Sequence, residues 1–233
     1  MASERRIQAE LARLDRVPLN FDPGHLPSVA RDPWHVDDYC HRLPAEPPGE
    51  PVAGGAFAVA TRLLRDYDFA DPTRIHAHYR RDAPLENRVM LLEIRYLLVR
   101  VWVGVRVGPV FDEVRQGPDG PVRVWGWAYR TLDGHLERGQ MDYQVWKRMA
   151  SGEVEFRIHA VSQLARIRNP LLNLGFRLVG RREQVQFARR SAARMEELVR
   201  RRVHGGESEP TLGATANVAV SPVSDDATTG TRR

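Results

Sequence analysis

Cysteine and lysine are almost absent from this 233-residue chain: Cys40 is its one thiol and Lys147 its one lysine. A single thiol excludes an internal disulfide and any multi-thiolate metal site. No stretch approaches the roughly 18–20 apolar residues that a membrane-spanning helix requires. The first six residues, Met-Ala-Ser-Glu-Arg-Arg, lack the apolar core of a signal peptide, so a cytoplasmic protein is expected. A nucleotide-binding glycine loop is also missing. Gly104 and Gly108 lie within a run of alternating valines, without the helix such a loop must open. No cofactor is expected.

What remains is an ordinary globular composition, 42% hydrophobic and 28% charged, with a net charge of +5. The basic residues are nearly all arginine, as a GC-rich genome would also encode, so their placement says more than their number. Residues 177–202 carry nine arginines against three glutamates, a local charge of +6 that leaves about −1 for the rest.

Periodicity predicts an N-terminal helix over residues 3–14 and an irregular Pro/Gly/Asp-rich arm over 17–51. A second helix is expected over 53–68, ended by Asp71-Pro72. The middle of the chain is β. Every odd position from 99 to 107 is valine, Gly117-Pro118-Asp119-Gly120 marks a turn, and residues 121–131 read as a strand covered on both faces. Residues 140–149 and 154–160 alternate as a hairpin, and a two-residue loop at Ser151-Gly152 would pair Met149 with Val154 and Val145 with Ile158. That register also sets Arg148 beside Glu155 and Trp146 beside Arg157. Asn169-Pro170 opens a long helix with an apolar stripe, a kink or break is expected near Gly180, and Gly205-Gly206 ends it. Residues 207–233 read as a disordered tail.

Residues 125–140 read Trp-Gly-Trp-Ala-Tyr-Arg-Thr-Leu-Asp-Gly-His-Leu-Glu-Arg-Gly-Gln. This segment resembles the central motif of a bacterial and plant family described only as a domain of unknown function, Gly-x-x-Tyr-x-Thr-Leu-x-Gly-His-x-Glu-x-Gly-Glu. Gly126 to Gly139 fit, and Gln140 stands where the family has glutamate. The run from Asn169-Pro170-Leu171 to Phe187 also resembles the family's closing helix, so the resemblance covers residues 52–202. The order of helix, antiparallel sheet and long C-terminal helix is similar to START-like, helix-grip proteins. The expected fold is therefore α+β, a curved antiparallel sheet packed against a long C-terminal helix. Its organisation would be an arm over 1–51, one domain over 52–204 and a tail over 205–233.

Candidate sites each have a bland alternative. His135 and Glu137 have the chemistry of an acid–base pair, or they hydrogen-bond the backbone of a glycine-bounded turn. Trp102, Trp125, Trp127 and Tyr129 line a ligand cavity, or they are core. Arg130, with Arg100 and Arg106, meets an acidic group of a ligand, or pairs with surface carboxylates. His76 and His78 share a face if 74–80 is a strand, yet nothing in the spacing supplies a third zinc ligand, so no metal site is expected. The arginine-rich helix lacks a nucleic-acid-binding motif and reads as a solvated face. Cys40 has no activating neighbour beyond His41. The leading expectation is a binding protein that holds a small, largely apolar ligand between sheet and helix. The alternatives are an enzyme using His135 and Glu137, or a module that docks anionic partners through residues 177–202.

Overall fold

The computed structural model describes residues 4–96, 99–165, 170–205 and 218–222. Its elements in chain order are α1 (Glu4–Leu14), β1 (His35–Leu43), α2 (Ala56–Arg65), β2 (Ile75–Arg80), β3 (Val89–Tyr96), β4 (Val99–Gly117), β5 (Gly120–Thr131), β6 (Glu137–Arg148), β7 (Val154–Leu164), α3 (Pro170–Gly205) and β8 (Val218–Ser221). A short 3-10 turn, Pro23–His25, precedes β1. The strands form one antiparallel sheet in the order β1-β7-β6-β5-β4-β3-β2-β8. The fold is α+β, with this eight-stranded sheet packed against the C-terminal helix, as the sequence predicts.

Successive side chains of a strand point to opposite faces, so this sheet has an inner face under α2 and α3 and an outer face that carries α1. The inner core gathers Val103, Val105 and Val107 of β4 with Trp125 and Trp127 of β5, Tyr143 and Val145 of β6, and Phe156 and Ile158 of β7. α2 buries Phe57, Ala60, Leu63 and Leu64 on it, and α3 buries Ala188, Ala192, Met195 and Val199. On the outer face Ile7, Leu11 and Leu14 of α1 meet Val89, Leu91, Leu132 and Val218. Arg106 closes the C-terminus of that helix, donating to the carbonyls of Leu14, Asp15 and Val17. A register shift between Val107 and Val110 adds a bulge to β4, a feature that bends a strand locally.

Four expectations need correction. Residues 17–51 are not an irregular arm throughout: His35–Leu43 is the edge strand β1, paired along its whole length with β7. Its alternation is masked in the sequence because one flank faces solvent and the other mixes Asp37 and His41 with Tyr39. The tail is not wholly without structure, since Val218–Ser221 adds to β2 as β8. A break near Gly180 does not occur: α3 is one helix from Pro170 to Gly205. The β6–β7 hairpin has the predicted faces but a register displaced by two residues: Lys147 pairs with Val154 and Val145 with Phe156. Gly152 N–H reaches Arg148 O at 2.8 Å and Arg148 N–H reaches Glu153 O at 2.9 Å, which makes the loop longer than two residues. A two-residue displacement preserves which face each side chain occupies. The Arg148–Glu155 ion pair (3.7 Å) and the Arg157–Trp146 stack (3.9 Å) therefore survive as diagonal rather than opposite contacts.

Candidate functional site

The inner face is organised as rows of side chains across β5, β6 and β7. One row holds Trp127, Tyr143 and Ile158, and the next holds Tyr129, Met141 and Ala160. Above the first row sits the C-terminal turn of α2. There Tyr67 has φ 63, the left-handed region in which a bulky side chain is strained. Its N–H bonds Leu64 O at 3.2 Å and that of Asp68 bonds Leu63 O at 2.9 Å, so Tyr67 occupies the helix-ending position usually held by glycine. The sheet completes that helix end: Trp127 Nε1 donates to Leu64 O (3.0 Å) and the Tyr79 hydroxyl to Asp66 O (3.0 Å).

Tyr67 leads directly into an aromatic cluster. Its ring lies 5.0 Å from Phe69 and 6.2 Å from Tyr143. Phe69 is 4.8 Å from Tyr143 and 5.4 Å from Phe156, and Tyr129 is 5.7 Å from Tyr143. The buried hydroxyls of Tyr67, Tyr143 and Tyr129 interact with one another through loose side-chain hydrogen bonds, Tyr143 meeting both of its neighbours, and burial raises all three. Tyr129 differs from its neighbours. Its hydroxyl reaches Met141 Sδ at 3.7 Å as well as Tyr143, and the residue is half-buried, with desolvation pushing the hydroxyl to about 12.

The sequence-derived candidates divide between the faces. Trp125, Trp127 and Tyr129 are on the inner face, the first two fully within the core. Trp102 is on the outer face, 39% exposed, with its ring 5.3 Å from His78. Arg130 is also on the outer face, bonding Gln140 Oε1 at 2.7 Å. These five residues therefore do not line one cavity. His135 is buried, and its Nδ1 accepts the Glu137 N–H at 3.0 Å. Desolvation holds the imidazole at about 4, in the neutral form that this acceptor role requires. It braces its own turn rather than facing a substrate. Glu137 lies on the inner face instead, close enough for its charge to raise the Tyr129 hydroxyl. The structure thus brings Glu137 near Tyr129, while His135 meets Glu137 through the backbone N–H.

Other sequence candidates have settled surroundings. His76 and His78 do share a face, and burial lowers both imidazoles. Among the described residues no group of three His, Cys, Asp or Glu is assembled for a metal. Arg100 pairs with Glu93 at 3.3 Å, and Arg123 pairs with Asp112. On α3, Arg190, Arg200 and Arg201 pair with Asp71, Glu196 and Glu197. Arginines 177, 181 and 182 lie where side chains are outside the described residues. Cys40 is exposed, with its thiol pushed up by desolvation, the reverse of an activated nucleophile.

Sequence reasoning missed a groove of about 400 Å³ on the outer face of β1, β7 and β6. Asp38, His159 and Asp142 stand in one row across it, with His159 Nδ1 2.8 Å from Asp38 and Asp142 held by Gln140 at 2.8 Å. Trp146 at its end is covered by Arg157. It was illegible because β1 itself was read as irregular. Tyr67 was also missed, since a left-handed tyrosine leaves no trace in periodicity.

The profile of a family described as Domain of unknown function (DUF1990) matches residues 22–194. The match begins well before residue 52 and so takes in β1. A search of curated proteins gives no match. Among solved structures, one described as the crystal structure of Ara h 8.0201 is similar at 8% identity with a TM-score of 0.44, over 71% of this chain and 97% of that one.

Proposed function

Taking as its premise that the chain belongs to the family described as Domain of unknown function (DUF1990), we propose that it binds a small, largely apolar molecule on the inner face, beside Tyr129 and beneath α3. The observation that carries this reading is Tyr129 itself. It is half-buried, whereas the other aromatics of that face, Trp125, Trp127 and Tyr143, are sealed in the core, and we take that opening beside Tyr129 as the place where a ligand would enter. Leu136, Met141 and Ala160 supply apolar walls around it, and pockets of this kind are mostly apolar with a few placed polar groups.

The enzyme reading loses its pair, because His135 is committed to the backbone of its own turn. The anionic-partner reading is weakened by the glutamate and aspartate partners of Arg190, Arg200 and Arg201. Native mass spectrometry of the freshly purified protein tests the proposal. A small molecule retained under native conditions and lost on denaturation supports it. A clean chain mass after incubation with a mixed extract of small apolar metabolites speaks against it.

A further inference from the structure

β4 outruns one of its neighbours. β3 pairs with residues 99–106, and beyond the bond from Val107 N–H to Arg88 O no described strand lies on that side of residues 108–117. β5 covers only the opposite flank. The β5 partner of Gln116 is Pro121, whose carbonyl turns away from β4 to accept Met149 N–H at 3.0 Å. Opposed antiparallel residues that do not bond each other both face away, so Gln116, Val114 and Asp112 present their N–H and C=O groups to open space. Asp112, Glu113, Val114 and Gln116 are also exposed at their side chains. An open edge of this kind is a template for another strand.

We propose that this edge pairs with the same edge of a second copy of the chain, antiparallel about a two-fold axis at Val114. The residues select both the partner and the register. Opposed residues of the two strands must share a sheet face, so one residue meets its own copy at the axis. Centred on Asp112, Glu113 or Arg115, the pairing sets a charge against its like. Centred nearer β3, it drives the turn of the second copy into that strand; centred on Gln116, it leaves an overlap too short to hold. Centred on Val114, it sets valine against valine, Glu113 against Arg115 and Asp112 against Gln116, with no like charges opposed.

Glu113 already holds Arg115 of its own strand at 2.6 Å, on the outer face. The dimer closes two such pairs into a ring of four alternating charges, the networked arrangement in which surface ion pairs contribute most. An edge that carries both signs in this order is complementary to itself, as an isologous interface requires. The overlap of residues 111–117 is short, so the association is weak. None of this depends on the ligand-binding reading.

Sedimentation equilibrium of the full chain tests the assignment. The wild type is expected to show a reversible monomer–dimer equilibrium with a Kd on the order of 100 μM, as small interfaces do. Val114→Pro removes the central N–H donor, which serves no partner within the sheet, and is expected to weaken dimerisation at least about tenfold with Tm nearly unchanged. Glu113→Arg, which opposes like charges, is expected to weaken it about fivefold, and adding Arg115→Glu to restore it to within about threefold of the wild type. This charge exchange is the second test should the proline variant fail to fold. A chain that stays monomeric to about 500 μM overturns the proposal, since that exceeds the expected Kd severalfold. A dimer indifferent to a folded Val114→Pro overturns it too, because it forms elsewhere. Failure of the exchanged charges to restore association overturns the register at Val114.

Discussion

The Lys147 ammonium lies 2.7 Å from Glu46 Oε2 with both side chains sealed from solvent, and the pair closes one end of the inner face. Lys147 also donates to Glu50 O at 2.8 Å. Glu46 accepts the N–H groups of Phe57 (2.7 Å) and Val52 (3.0 Å). Phe57 belongs to the first turn of α2, whose N-cap Gly55 has no side chain to offer. One carboxylate therefore caps the helix and neutralises the buried lysine, while the favourable end of the helix dipole faces it.

Removing either partner strands a buried charge. Lys147→Met or Glu46→Ala should each destabilise the protein by about 3–5 kcal/mol in chemical denaturation. The double variant should lose clearly less than the sum, since neither charge is then left unpaired. Strict additivity would show that the two residues act separately.

Acid sensitivity should trace in part to His135. Desolvation lowers its folded-state pKa from 6.5 to about 4, so between those values the unfolded chain binds the extra proton. Stability therefore falls as pH drops from about 6.5 toward about 4, by up to about 3 kcal/mol from this residue. His76 and His78, also lowered, act in the same direction. His135→Asn keeps an acceptor for Glu137 N–H without the titration and should flatten the slope. An unchanged slope in that variant would remove His135 from the account.

Two glycines of the central motif should differ sharply. At Gly139, with φ 150, a Cβ would collide with the carbonyl oxygen of Val161 on the neighbouring strand. Gly139→Ala is expected to prevent folding or cost several kcal/mol, because backbone rather than a flexible side chain must move. Gly134, with φ 90, has nothing within 4 Å, so Gly134→Ala should cost only the conformational strain, about 1–2 kcal/mol. Denaturant midpoints of the two variants check the contrast.

The C-terminal strand should contribute measurably. β8 buries Val218 and Ala219 and supplies the Ser221 hydroxyl that donates to Asp68 at 2.6 Å. Truncation after Gly205 removes all three and should lower Tm by roughly 4–10 °C. An unchanged Tm would show that β8 contributes nothing to stability.

Strong periodicity explains what the sequence revealed. The valines of β4 and the apolar alternation of β6 and β7 are set by burial on one face, and a register error of two residues leaves those faces intact. Edge strands carry no such signal: β1 mixes exposed and half-buried positions, and β8 is four residues long. The glycine-rich motif was legible as special, but its purpose was not. Asn20 explains much of it, accepting from the Thr131 hydroxyl and donating to Glu137 O at 2.8 Å, contacts that link positions more than a hundred residues apart. Trp125, Trp127 and Tyr129 were rightly placed on one face of β5. Trp102 and Arg130 were grouped with them because composition does not say which way a strand faces.

The most direct test of the central claim is an equilibrium titration of the wild-type protein with N-phenyl-1-naphthylamine, compared with Tyr129→Trp, which adds bulk at the proposed opening. The account predicts one saturable site per chain and a loss of at least about tenfold in affinity in the variant, equivalent to about 1.4 kcal/mol. Non-saturable binding, or equal affinity in the two proteins, would contradict an inner-face site at Tyr129.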